Sequence, residues 1–163
     1  MRNPIIAALD VATAERALAL AEQLAPVVGA LKVGKELFTS EGPGLVRQLR
    51  ATGAAVFLDL KFHDIPNTVA RAVEAAVRCG VQMLTIHTSG GTAMMRAAEQ
   101  AARTTADALG VEAPLVLGVT VLTSLDDAAL DELGIGGGTA GQVGRLARLA
   151  VNAGLRGLVC SPL

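Results

Sequence analysis

The sequence predicts an α/β fold of repeated βα units around a parallel sheet, and three observations predict it. Short apolar runs alternate with longer amphipathic stretches rich in Ala, Leu and Arg, a glycine recurs between a helical stretch and the run that follows, and nearly every run ends in a polar or charged residue. Continuous apolar runs of this kind suit strands buried on both faces. Hydrophobic residues make up 52% of the 163-residue chain and charged residues 18%, enough for a core and too apolar for a disordered segment. The length suits one domain and no Pro/Ser-rich linker interrupts it, so residues 1–163 read as a single domain.

The strands are expected at Ile5–Leu9, Ala30–Val33, Ala55–Leu60, Met83–Ile86, Leu115–Val121 and Leu158–Cys160. Helical patterns lie near Thr13–Leu24, Pro43–Arg50, Thr68–Arg78, Thr92–Leu109 and Gln142–Asn152, with a shorter helix over Leu125–Leu133. In the first helix Ala17, Leu18, Leu20, Ala21 and Leu24 keep close to the spacing of one helical face. Gly29, Gly53, Gly80, Gly110 and Gly154 each follow a helical pattern, where a left-handed residue commonly ends a helix. Asn67 or Thr68 is placed to cap the helix beginning near Thr68.

Composition excludes several roles. Lys and Arg number 14 against 15 acidic residues, a net charge of −1, with no two basic residues adjacent and only 2% aromatics. Neither a polyanion-binding footprint nor a base-stacking platform is present, so no nucleic-acid partner is expected. The longest charge-free stretch, Cys79 to Met95, contains Gln82, Thr85, His87, Thr88 and Ser89 and does not read as a membrane span. Cys79 and Cys160 lack metal-type spacing and read as buried, reduced thiols, which with the absence of a signal-peptide pattern suggests the cytoplasm. His63 and His87 have no metal-ligand spacing, and His87 reads as a hydrogen-bonded strand-end residue. Gly136-Gly137-Gly138 lacks the ending of a phosphate-binding P-loop and reads as a flexible connector; Met94 and Met95 read as core or interface filler.

The polar residues gather at the carboxyl ends of the strands: Asp10 after the first, Lys32 in the second, Asp59 and Lys61 closing the third, His87 and Thr88 at the fourth, Thr120 and Thr123 after the fifth, Ser161 after the sixth. That end carries the active site in α/β barrels and the ligand in open α/β sheets, so the pattern predicts an enzyme-like site without separating the two architectures. Residues two apart on a strand share a face, which points Asp59 and Lys61 the same way. Lys32 is a second lysine in an apolar strand, costly to bury unpaired. Two lysines and two carboxylates at one strand-end face form an alternating network in which a unit pair at ~4 Å interacts by ~4 kcal/mol at an effective dielectric near 20. Such a network holds a lysine protonated and aimed.

The segment Asp59-Leu60-Lys61-Phe62-His63-Asp64-Ile65-Pro66-Asn67-Thr68-Val69 closely resembles the signature of the bacterial orotidine 5′-phosphate decarboxylase family. Ala8-Leu9-Asp10, Leu31-Lys32-Val33-Gly34, Gly118-Val119-Thr120-Val121-Leu122-Thr123-Ser124 and Leu158-Val159-Cys160-Ser161-Pro162 agree with it, so the resemblance covers essentially the whole chain. It implies a TIM (β/α)8 barrel, a homodimer with shared active sites, and decarboxylation of orotidine 5′-phosphate to UMP with no metal or organic cofactor. It implies Lys61 as the general acid that protonates the ring carbon, Asp59 beside the departing carboxylate, Lys32 and Asp10 on the ribose, and Thr123 on the pyrimidine. Asp64 and Thr68 would reach into the neighbouring subunit's site.

Such a barrel needs eight βα units, typically ~250 residues, and this chain is expected to supply about the first six. The family's phosphate-gripping loop and arginine would belong to the part beyond them. Two alternatives stand beside this reading. One is a related D-x-K-x-x-D sugar-phosphate decarboxylase or synthase, against which Ile65-Pro66-Asn67-Thr68 and the lack of an evident acidic metal-binding set argue. The other is a non-catalytic barrel fragment that associates through open strand edges.

Overall fold

The structure, a computed structural model, describes residues 3–161. Its elements in chain order are β1 (Ile6–Ala8), α1 (Ala14–Leu24), β2 (Ala30–Val33), α2 (Lys35–Ala51), β3 (Val56–Phe62), α3 (Pro66–Arg78), β4 (Met83–His87), a 3₁₀ turn (Thr88–Gly90), α4 (Gly91–Leu109), β5 (Leu115–Val119), α5 (Asp127–Glu132), α6 (Gly138–Ala153) and β6 (Gly157–Val159). The six strands form one sheet in sequence order, each parallel to the last. A doubly wound sheet reverses its strand order at a switch point; adding each strand beside the previous one in a single direction is how a barrel winds.

Strand alternation divides the interior into two layers. Leu31, Val56, Leu58, Leu84, Ile86 and Val116 face the helices and pack with Val46, Leu49, Val73, Val77, Met94 and Ala98. The intervening Ala30, Phe57 and Met83, with Leu115 and Leu117, form a smaller apolar layer on the opposite face. Along β2, β3 and β4, the next residues on that second face are Lys32, Asp59 and Thr85. The polar group thus stands one step beyond an apolar floor, toward the carboxyl ends of the strands. Glu99, buried on α4, ties the far side together by pairing with Arg103 and with Arg156, which also donates to the Pro114 carbonyl.

Several expectations are corrected. The second helix begins at Lys35, not near Pro43; Gly42 at φ 68° kinks it, and Pro43 opens the second segment. Gly53, Gly80, Gly110 and Gly154 have the expected positive φ, but Gly29 does not. The amides of Val27 and Val28 close α1 on the Leu24 carbonyl, and Gly29 already donates to Ile5 as the start of the sheet pairing. Helix α3 starts at Pro66 with Ile65 as its cap, so Asn67 and Thr68 lie inside the first turn and cap nothing. Gly136-Gly137-Gly138 is not wholly a connector: Gly137 caps α6, and Gly138 is its first residue. Cys79 is half-buried beside Arg47, and Cys160 is exposed because it follows the edge strand β6. Pro162 lies outside the described residues, while Met94 and Met95 are both fully buried core.

Candidate active site

A cleft of about 250 Å³ at the carboxyl ends of the first three strands is lined by Asp10, Lys32, Asp59 and Lys61, together with Lys35 and Glu36 from the first turn of α2. Within it the charges alternate. Lys61 Nζ lies 2.8 Å from Asp59 Oδ1 and 2.9 Å from Oδ2. Lys32 Nζ lies 4.0 Å from Asp59 Oδ2 and 3.4 Å from Asp10 Oδ1. Side-chain exposure falls from 74% at Asp10 to 16% at Asp59, so the central carboxylate is the most sheltered of the four and the outer one is open to solvent. A charged pair sheltered in this way is screened less by salt than one at the surface.

The expected convergence of Asp59 and Lys61 is present, but regular strand alternation does not produce it. Leu58 pairs with Leu84 and Phe62 with Ile86, so three residues of β3 stand against the single residue Thr85 of β4. Lys61 absorbs this excess at φ 53°, the sole non-glycine residue with positive φ among the described residues. A side chain in that region costs of order 1–3 kcal/mol and persists only where its surroundings hold it. Here the Lys61 amide donates to Thr85 Oγ1 at 2.8 Å, and the Thr85 hydroxyl donates to Asp59 Oδ1 at 2.9 Å. Thr85 is 1% exposed. Sequence reasoning missed it; the available signal was a polar residue in the apolar run Met83-Leu84-Thr85-Ile86, two before His87 and so on the same face.

His87 closes β4 as expected, but among the described residues its ring neighbour is His63, with centroids 5.5 Å apart, rather than a hydrogen-bond partner. Burial above all, then the nearby His63, Lys35 and Lys61, lowers its pKa from the ordinary histidine value against the opposing pull of Asp59. The shift favours the neutral imidazole, which adds no charge to the network.

The remaining expected residues lie elsewhere. Asp64 is exposed in the turn from β3 into α3 and Thr68 is exposed in the first turn of α3, and Asp64 Oδ1 accepts from the Ile65 amide. Asp64 makes no ion pair with either lysine among the described residues; Asp10 supplies the network's second carboxylate. Thr123 lines a second cleft of about 780 Å³, with Thr139 and Ser161, between the carboxyl ends of β5 and β6 and helices α5 and α6. No helix among the described residues is long and apolar enough to cross a membrane, and none of their His, Cys, Asp and Glu side chains form a group of three able to hold a metal ion.

Comparison with known proteins bears on this geometry. Residues 3–163 match the Orotidine 5′-phosphate decarboxylase / HUMPS family. The orotidine 5′-phosphate decarboxylase of Dichelobacter nodosus (strain VCS1703A) is 55% identical over 159 residues, 98% of this chain and 67% of its own length. That of Sodalis glossinidius (strain morsitans) is 52% identical over 98% of this chain and 62% of its length. The chain thus spans about two thirds of the length of the curated relatives it matches. Among solved structures, orotidine 5′-phosphate decarboxylase from Lactobacillus acidophilus superposes with a TM-score of 0.87 at 36% identity, over 98% of this chain and 72% of that one. An uncharacterized conserved protein from Geobacillus kaustophilus superposes at 0.91 and 39% identity, over 96% and 73%. The expected architecture, an α/β chain forming part of a (β/α)8 barrel, stands on the strand order and these likenesses.

Proposed function

This chain belongs to the orotidine 5′-phosphate decarboxylase / HUMPS family, and from that premise we propose that it supplies the charged half of an active site that decarboxylates orotidine 5′-phosphate to UMP in pyrimidine biosynthesis. The observation that carries the reading is the Lys32–Asp59–Lys61 array at the carboxyl ends of the strands. When the bond from the ring carbon to the carboxylate breaks, the electron pair stays on that carbon and carbon dioxide leaves. Lys61 then delivers a proton to the carbon and becomes a neutral amine, which solvent reprotonates. An ammonium has three donors. Two directed at the oxygens of Asp59 leave the third for the substrate, so the carboxylate aims the acid. A fixed positive charge also stabilises the carbanion as it develops, without reorganising at the moment of reaction.

The outer residues divide the remaining work. Lys32, held between Asp10 and Asp59, and Asp10 itself, open to solvent, suit the ribose hydroxyls. Thr123 would take the pyrimidine from the second cleft, which requires a ligand that spans both. Asp64 and Thr68 are exposed beside Ile65, itself 66% exposed, and suit a role in a second subunit's site. On this reading the protein is a homodimer with shared sites, working in the cytoplasm on a small phosphorylated substrate, without a cofactor and without a nucleic-acid partner. The family also includes sugar-phosphate enzymes, and Ile65-Pro66-Asn67-Thr68 favours orotidylate over their substrates.

Catalytic tests use a full-length version, residues 1–163 continued by the C-terminal third of the Dichelobacter nodosus relative. It is expected to release carbon dioxide from orotidine 5′-phosphate. A folded full-length version without turnover would contradict the proposal. Residues 1–163 alone are expected to give no measurable turnover and to associate, since β1 and β6 are sheet edges carrying exposed Ile6, Leu158 and Val159. A monodisperse preparation of residues 1–163 that turns over orotidylate would show that the other strands are not needed.

A further inference from the structure

We propose that Thr85 is the positioning residue of the site: its hydroxyl holds the Lys61 backbone in the left-handed conformation and, through the same oxygen, sets the orientation of Asp59. The proposal deepens the reading above, since it explains how the inferred proton donor is aimed.

Between the Leu58–Leu84 and Phe62–Ile86 pairs, β3 carries more residues than β4 can match. The Lys61 amide therefore turns to a side chain, and Thr85 Oγ1 receives it at 2.8 Å. A hydroxyl carries a single proton. With the Lys61 amide as donor to its oxygen, that proton is directed at Asp59 Oδ1, 2.9 Å away. The direction of the chain is thus determined: amide to hydroxyl, hydroxyl to carboxylate, with the carboxylate accepting in turn from the Lys61 ammonium at 2.8 and 2.9 Å. The loop closes on one residue, whose backbone is tied to Thr85 and whose side chain is tied to Asp59.

Burial makes the arrangement consequential. Thr85 is 1% exposed, so water has little access to the space its hydroxyl fills between the Lys61 amide and Asp59 Oδ1. Removing the hydroxyl strands an amide donor at Lys61, whose φ of 53° needs its backbone held. Valine keeps the shape and loses the hydroxyl, whereas serine keeps the hydroxyl and loses a methyl group.

The test compares Thr85→Val and Thr85→Ser in the full-length version, with two readouts. For Thr85→Val, kcat for orotidylate is expected to fall by about 10- to 100-fold while KM and product affinity move by less than about threefold, because substrate still binds but the acid is misplaced. Thr85→Ser is expected to keep kcat within about threefold. By hydrogen exchange, the Lys61 amide is expected to be as protected as the β4 amides in the unmodified protein and in Thr85→Ser. In Thr85→Val it should exchange at least about tenfold faster while the β4 amides do not change. An unprotected Lys61 amide in the unmodified protein would overturn the proposal whether or not the valine variant folds. So would equal losses in the serine and valine variants, or a valine variant with normal kcat. The exchange readout needs no substrate: absence of orotidylate turnover would sink the functional reading, and the Lys61 amide would still decide the role of Thr85.

Discussion

Replacing Lys61 by alanine in the full-length version is expected to lower orotidylate turnover by at least about 10³-fold, the combined scale of a lost general acid and a lost electrostatic stabiliser. Affinity for the product nucleotide should change little. The ammonium does its work on charge that exists only as carbon dioxide departs, so its removal falls on kcat rather than on ground-state binding. The structure adds a reason why smaller repairs will not suffice: Lys61 reaches Asp59 from a backbone held at φ 53°, a placement no neighbouring lysine reproduces. Turnover and equilibrium binding measured on the same preparation check this. Near-normal turnover would remove Lys61 from the mechanism.

Mixing Asp59→Ala and Asp64→Ala subunits, each inactive alone, should recover activity. In a mixed dimer with shared sites, one site receives Asp59 from its own chain and an intact Asp64 from the partner, and the other site loses both. Random mixing makes half the dimers mixed, each with one competent site of two, so about a quarter of the unmodified activity is expected. The prediction rests on two features of the structure: Asp59 is sheltered within the cleft, whereas Asp64 is exposed and makes no ion pair with Lys32 or Lys61 among the described residues. Mixed dimers shown to form, yet as inactive as either parent, would contradict the placement of Asp64 in a partner's site.

What the sequence reveals about the site depends on whether a position is determined locally. Lys32 and Asp59 were legible because alternation in an apolar strand assigns a face, and a charge on that face needs a partner. Lys61 was legible as a neighbour of Asp59 but not in its conformation. A register shift belongs to two strands at once, and nothing in Val56–Phe62 alone says that β4 offers one residue where β3 offers three. Thr85 was hidden for the same reason, since its partners are 24 and 26 residues away. Asp10 was legible as a strand-end residue, yet its place as the second carboxylate of the network depends on the parallel pairing of β1 with β2. In the fold, helix and strand periods gave the order of elements. The errors fell where glycine or proline interrupts a pattern, as at Gly42-Pro43, or where exposure is decided by distant packing, as at Cys160.

The central claim is that the Lys32–Asp59–Lys61 array acts on a pyrimidine nucleotide rather than on a sugar acid. The direct measurement supplies the full-length version with orotidine 5′-phosphate and, in parallel, with a sugar-acid phosphate of the kind the related decarboxylases take, each with and without EDTA, and follows carbon dioxide release. The account predicts release from orotidine 5′-phosphate alone, at a rate EDTA does not change. Release from the sugar-acid phosphate alone, or orotidylate turnover that EDTA abolishes and added magnesium restores, would contradict it.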